Sequence, residues 1–123
     1  MNYGFIKVAS AVPSVKVADC KYNVEQIEQQ IILAEGQGVE IIVFPELSLT
    51  GYTCQDLFRQ NLLLETTESA MLMLLDFTRQ LNIISIVGLP IAVGDLLLNC
   101  AAIIQKGQIL GIVAKEYLPN YNE

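Results

Sequence analysis

Val43-Phe44-Pro45-Glu46-Leu47-Ser48-Leu49-Thr50-Gly51-Tyr52 is the stretch on which the reading of this chain turns. The apolar run from Ile41 to Phe44 has the character of a buried strand. Pro45, with no backbone N–H to give a ladder, ends it. Glu46 follows at once, and a loop of small residues closes at Gly51. Ligands of α/β sheets bind beyond the carboxyl ends of strands. A glutamate in that place is a candidate general base. On position alone, the plainer reading is a solvated loop carboxylate.

Upstream, Tyr3 to Val12 reads as a strand ended by Pro13, and Ser14 to Asp19 as a loop. A helix then starts near Asp19 or Asn23, and Asn23 with Gln26 fits a capping box. Val24, Ile27, Ile31 and Ala34 recur at steps of three and four and make one apolar stripe. Gly36 and Gly38 stop the helix. That Gly-x-Gly follows a helix, whereas a phosphate-binding loop follows a strand. Val39 to Phe44 completes a β-α-β unit, and its β-branched, two-sided apolar character fits a central strand.

Downstream, the loop from Pro45 to Gln55 is long enough to shape a pocket. Asp56 to Leu64 starts with a short helical turn. Thr66 to Leu81 reads as a second long helix, capped by Thr66 or Thr67. Its stripe of Met71, Leu74, Leu75, Thr78 and Leu81 is core material. Ile83 to Leu89 is a third strand, closed by Gly88 and Pro90, and Leu96 to Ile104 a fourth. Lys106-Gly107 is a hairpin turn, and Gln108 to Ala114 returns as a fifth strand with Lys115 at its exit. Both faces of the fourth strand are apolar, so both need a cover. The pattern supports an α/β class, with a flavodoxin-like sheet as a rival arrangement.

Composition narrows the function. The 123 residues make at most one domain. Apolar residues make up 53% and charged residues 16%, a greasy balance for a small monomer. Such a chain is an interior-rich piece of something larger or presents a wide face to a partner. The net charge of −6 comes with no basic patch, against nucleic-acid binding. No apolar run is long enough for a membrane span, and no signal peptide is evident. Cys20, Cys54 and Cys100 are odd in number and widely spaced, suggesting reduced thiols in a cytoplasmic protein. Histidine is absent, which removes Ser-His-Asp and Cys-His catalysis and His-based zinc sites from these residues.

Phe44-Pro45-Glu46 followed by Leu-x-x-x-Gly-Tyr resembles the first catalytic segment of the nitrilase (carbon–nitrogen hydrolase) superfamily. With Leu49-Thr50-Gly51-Tyr52 and then Asp56-Leu57, it most resembles the amidase domain of glutamine-dependent NAD synthetases. Lys115-Glu116-Tyr117-Leu118-Pro119-Asn120-Tyr121 resembles the lysine segment of the same domain. Two ordered motifs at a matching separation are more specific than either alone, and the likeness runs over essentially the whole chain. It implies an α-β-β-α sandwich, incomplete here, with residues 1–123 forming roughly the first half of the amidase domain and no second domain.

The resemblance also implies a mechanism with a glutamate, a lysine and a cysteine. Glu46 matches the base and Lys115 the lysine that stabilises an oxyanion. Taken alone, Lys115 reads as a surface lysine closing a strand. Tyr52 and Tyr121 match tyrosines lining a glutamine pocket, with plain packing of loop aromatics the alternative. The family's nucleophilic cysteine lies after the lysine segment and has no match here. Cys100 sits inside a strand, Cys20 in an early loop, and Cys54 follows no strand. The implied parent releases ammonia from glutamine for a C-terminal synthetase domain, which uses ATP and Mg to amidate nicotinic acid adenine dinucleotide. No cofactor or metal is expected in these residues, and a homo-oligomer is expected. The alternatives are a stand-alone hydrolase of another small amide and a non-catalytic nitrilase-like binding module.

Overall fold

A computed structural model describes residues 4–51, 61–94 and 96–117. In chain order it contains β1 (Val8–Ser10), α1 (Cys20–Gly36), β2 (Ile41–Val43), α2 (Asn61–Phe77), β3 (Ile84–Val93), β4 (Leu96–Gln105) and β5 (Gln108–Tyr117). A 3-10 turn, Thr78–Gln80, finishes α2. The strands form one sheet in the order β1-β2-β3-β4-β5. The first three are parallel, and β3, β4 and β5 are antiparallel. Two helical crossovers followed by a meander give the expected α/β class. The sequential order and the antiparallel half exclude the flavodoxin-like rival.

Both helices contribute to one core. The stripe Cys20, Val24, Ile27, Ile31 and Ala34 of α1 joins Ala70, Met71 and Leu74 of α2, over Ile42, Val87, Leu89, Ala102 and Ile104 of the sheet. Period-two alternation sends the remaining strand residues to the opposite face. There Val8, Val43 and Val113 are exposed.

Several boundaries differ from expectation, each for a local reason. Helix α1 begins at Cys20, because the Asp19 carboxylate caps it by accepting from the Tyr22 N–H at 3.0 Å. Asn23 is therefore inside the helix and is not its cap. Helix α2 begins at Asn61, so Thr66 and Thr67 are interior, and the turn at Thr78–Gln80 replaces its expected last residues. Strands β1 and β2 are only three residues each. Strand β3 runs through Gly88 and Pro90 to Val93. Its ladder with β2 covers only Ile84 to Ile86, so Pro90 needs no donor on that side. Strand β5 passes beyond Ala114, which puts Lys115 within the strand and not at its exit.

Candidate active site

The two motif residues 69 positions apart meet. The Lys115 Nζ donates to Glu46 Oε2 in an ion pair. Glu46 comes from the loop after β2 and Lys115 from β5, two strands beyond β3 in the sheet order. Neighbouring strands lie about 4.8 Å apart, so residues on β2 and β5 are too far apart for direct side-chain contact without help. Two features close the gap.

The first is the way the Glu46 loop leans on β3. Phe44 N–H donates to the Ile86 carbonyl at 2.9 Å, and Leu49 N–H to the Gly88 carbonyl at 3.1 Å. Gly88 N–H donates to the buried Ser48 Oγ at 3.1 Å. A Cβ on Gly88 would stand 2.4 Å from the Leu47 nitrogen, 2.8 Å from the Pro45 oxygen and 3.0 Å from the Glu46 carbonyl carbon. Only glycine leaves room for the loop to cross there. Leu47 takes the left-handed region at φ 51°, a strained choice for a side chain with a Cβ. Its carbonyl accepts from Thr50 and Gly51 N–H at 3.1 and 2.8 Å, and its side chain is buried, which offsets the strain.

The second feature is a register shift in β5. Asn99 pairs with Glu116 and Cys100 with Ala114, so Lys115 is the extra residue of a β-bulge. Bulges re-aim a side chain, and they recur beside active sites. The long lysine then reaches back toward the loop on β3.

The pair is open to solvent, with Glu46 33% and Lys115 60% exposed. An ion pair this open contributes only about 0.2–1 kcal/mol to stability. What it supplies chemically is a proton-accepting carboxylate beside a fixed positive charge, both reachable from outside.

Neither described cysteine joins it. Cys20 is the first residue of α1, not part of a loop as expected, and is buried with its Sγ 3.5 Å from Thr67 Oγ1. Cys100 is buried on the helix side of the sheet, and desolvation pushes its thiol pKa up, away from the reactive thiolate. Tyr52, Cys54 and Tyr121 lie outside the described residues. Among the described residues no three His, Cys, Asp or Glu side chains cluster to hold a metal, and no helix is long and apolar enough to cross a membrane.

Gly88 and Ser48 carry the site and were not expected to. Gly88 reads as a strand end in sequence. A glycine inside an apolar run is also a known mark of close backbone approach, and that signal was present.

Comparison with known proteins gives the family and the fold. The carbon-nitrogen hydrolase family model matches residues 7–123. The glutamine-dependent NAD(+) synthetase of Mycobacterium leprae is 33% identical over 122 residues, covering 99% of this chain and 18% of the relative. That of Aquifex aeolicus is 41% identical over 106 residues, covering 86% and 18%. The crystal structure of a glutamine-dependent NAD(+) synthetase from Cytophaga hutchinsonii superposes with a TM-score of 0.84 at 30% identity, over 94% of this chain and 20% of that one. An amidase from Nesterenkonia sp. shares the fold, with a TM-score of 0.79 at 22% identity, over 89% of this chain and 42% of the other. The chain thus spans 18% of the length of the first curated relatives it matches, and its sheet with one helix layer is part of a nitrilase-like fold. With the family model matching nearly its whole length and both motif residues brought into contact, this chain belongs to the carbon-nitrogen hydrolase family.

Proposed function

We propose that these residues are the N-terminal part of a glutamine amidohydrolase domain in a glutamine-dependent NAD synthetase. The Glu46–Lys115 ion pair carries this reading, because the fold builds it from two distant segments and it adds little stability. Glu46 is the general base and Lys115 the oxyanion stabiliser. The nucleophile is a cysteine that these residues do not supply; Cys20 and Cys100 are both buried.

Glu46 takes the proton of that thiol, and the thiolate attacks the carboxamide carbon of glutamine. Charge develops on the carbonyl oxygen, where the Lys115 ammonium stabilises it. The C–N bond breaks, and the proton held by Glu46 goes to the departing ammonia. Water, deprotonated by Glu46, then hydrolyses the thioester and releases glutamate. Tyr52 and Tyr121 line the glutamine pocket in this proposal. Ammonia passes to a C-terminal synthetase domain, which holds ATP and Mg and forms NAD from nicotinic acid adenine dinucleotide. Gly36-Gln37-Gly38 ends a helix and offers no phosphate cradle for either. The parent acts in the cytoplasm as a homo-oligomer. Exposed Ile32, Leu33, Leu72 and Met73 on the helices supply apolar surface for assembly.

The test uses the full-length protein carrying these residues. Glutamine-driven NAD formation is lost in Glu46→Gln, while ammonia-driven formation persists. Loss of both, or of neither, rejects the assignment. Hydrolysis of another small amide but not of glutamine rejects the substrate. Residues 1–123 alone are expected to be inactive, and thiol-dependent ammonia release abolished by Cys54→Ala would refute that.

A further inference from the structure

We propose that Asn23 is a positioning residue for Glu46, acting through the Leu49 carbonyl; this rests on the glutaminase reading. Asn23 lies on the buried stripe of α1 and is 1% exposed. A buried carboxamide among Cys20, Val24 and Ile27 carries a desolvation cost unless every polar atom is bonded. Here each is. Nδ2 donates to the Leu49 carbonyl at 3.0 Å and to the Lys16 carbonyl at 2.8 Å. Oδ1 accepts from the Lys16 N–H at 2.7 Å. One side chain thus ties three segments together: the first turn of α1, the loop before it, and the loop that presents Glu46.

The tie acts where β3 does not. Gly88 holds the Glu46 loop from the sheet side, through Ser48 and the Leu49 N–H. Asn23 holds the same residue, Leu49, by its carbonyl from the helix side. Ala18 N–H adds a bond to the Thr50 carbonyl at 2.7 Å, and Gly51 packs on Val17, where a Cβ would come within 3.1 Å. The loop between Phe44 and Gly51 is therefore pinned on both sides, and the carboxylate that faces Lys115 moves with it. The helix does not need Asn23 for its own end, because Asp19 already caps it.

Asn23→Asp in the full-length protein is the test. It keeps the shape and the acceptor but removes both donors and sets a carboxylate against two carbonyl oxygens. A misplacement near 1 Å costs about 100-fold. The expected result is a kcat for glutamine hydrolysis lowered about 10- to 100-fold with KM little changed, since Asn23 touches no substrate. Asn23→Ser, smaller and able to donate to one carbonyl, falls between and covers the case in which Asp does not fold. Asp19→Ala is the control: it removes the cap of the same helix without touching the loop, and keeps kcat within about twofold. Amide exchange gives a readout free of activity: Thr50 and Gly51 exchange at least tenfold faster in the Asn23 variants than in Asp19→Ala. The proposal is overturned if Asn23→Asp keeps kcat within threefold while Glu46→Gln is inactive, or if Asp19→Ala loses as much as Asn23→Asp. If Glu46→Gln stays active, the glutaminase reading falls, and the exchange comparison alone decides whether Asn23 holds the loop.

Discussion

Adding one methyl group at Gly88 should disarm the site from a distance. In Gly88→Ala the new Cβ meets the Leu47 nitrogen at 2.4 Å, with the Pro45 oxygen and the Glu46 carbonyl carbon also inside normal contact. All three are backbone atoms, so no side-chain rotation relieves the clash. Restoring ordinary contact moves the loop by about 1 Å, because packed interiors have no slack to absorb it. The Leu49-to-Gly88 and Gly88-to-Ser48 hydrogen bonds, both 3.1 Å, stretch with it. Overpacking of this kind costs about 1–3 kcal/mol of stability. A 1 Å shift of a catalytic group costs about 100-fold in rate, or about 2.7 kcal/mol of barrier. The assay is ammonia release from glutamine by the full-length protein, with thermal melting alongside. Gly111→Ala is the matched control, since a Cβ there meets nothing within 4 Å. A Gly88→Ala variant that retains kcat/KM within threefold of the unaltered protein, or a Gly111→Ala variant that loses as much, would refute the role of Gly88 as the seat of the loop.

Three further outcomes are expected. Ser85 Oγ is buried with no hydrogen-bond partner among the described residues, so Ser85→Ala should raise stability by about 1 kcal/mol in denaturant unfolding. Desolvation, and secondarily Glu25, raises the pKa of Glu28. A carboxylate whose pKa is raised in the folded state weakens the fold when ionised, and that penalty vanishes as pH falls below the unfolded value. Glu28→Gln should therefore be slightly more stable near pH 7, by about 0.2–0.5 kcal/mol for the like-charge relief, with the gain gone below about pH 4; equal melting at both pH values contradicts this. Cys20→Ala and Cys100→Ala should leave glutamine hydrolysis within a few-fold, measured after correction for folded fraction, because both thiols are buried and desolvation raises the pKa of Cys100.

Much of the architecture was legible because it rests on periodicity. The stripe from Val24 to Ala34 and the apolar runs at Ile41, Ile83 and Leu96 determine which faces are buried, and burial fixes the elements. Boundaries were less legible where two caps compete. Asp19 and Asn23 both fit the start of α1, and only the tertiary bonds of Asn23 to Lys16 and Leu49 decide between them. Strand β3 runs on past Gly88 and Pro90 because β4 pairs with it to Val93 after the β2 ladder has ended at Ile86, a fact of pairing that no local pattern contains. Glu46 and Lys115 were named from their motifs, but their contact depends on a glycine seat in β3 and a bulge in β5. Both are long-range features. On β4 the helix side is buried at Cys100, Ala102 and Ile104 and the other face is half-buried at Ala101 and Ile103, while Val8, Val43 and Val113 of β1, β2 and β5 are exposed on that side of the sheet. Tyr52 and Tyr121 remain proposals for the glutamine pocket.

The central claim is that Glu46 and Lys115 act as one catalytic unit. The most direct measurement is a double-mutant cycle on glutamine hydrolysis by the full-length protein, using Glu46→Gln, Lys115→Met and the two combined. Residues that work as a unit are grossly non-additive. Each single change should lower kcat by at least about 1,000-fold, and the double variant should be no worse than either. Retention of kcat within tenfold in either single variant, or losses that simply multiply in the double, would contradict it.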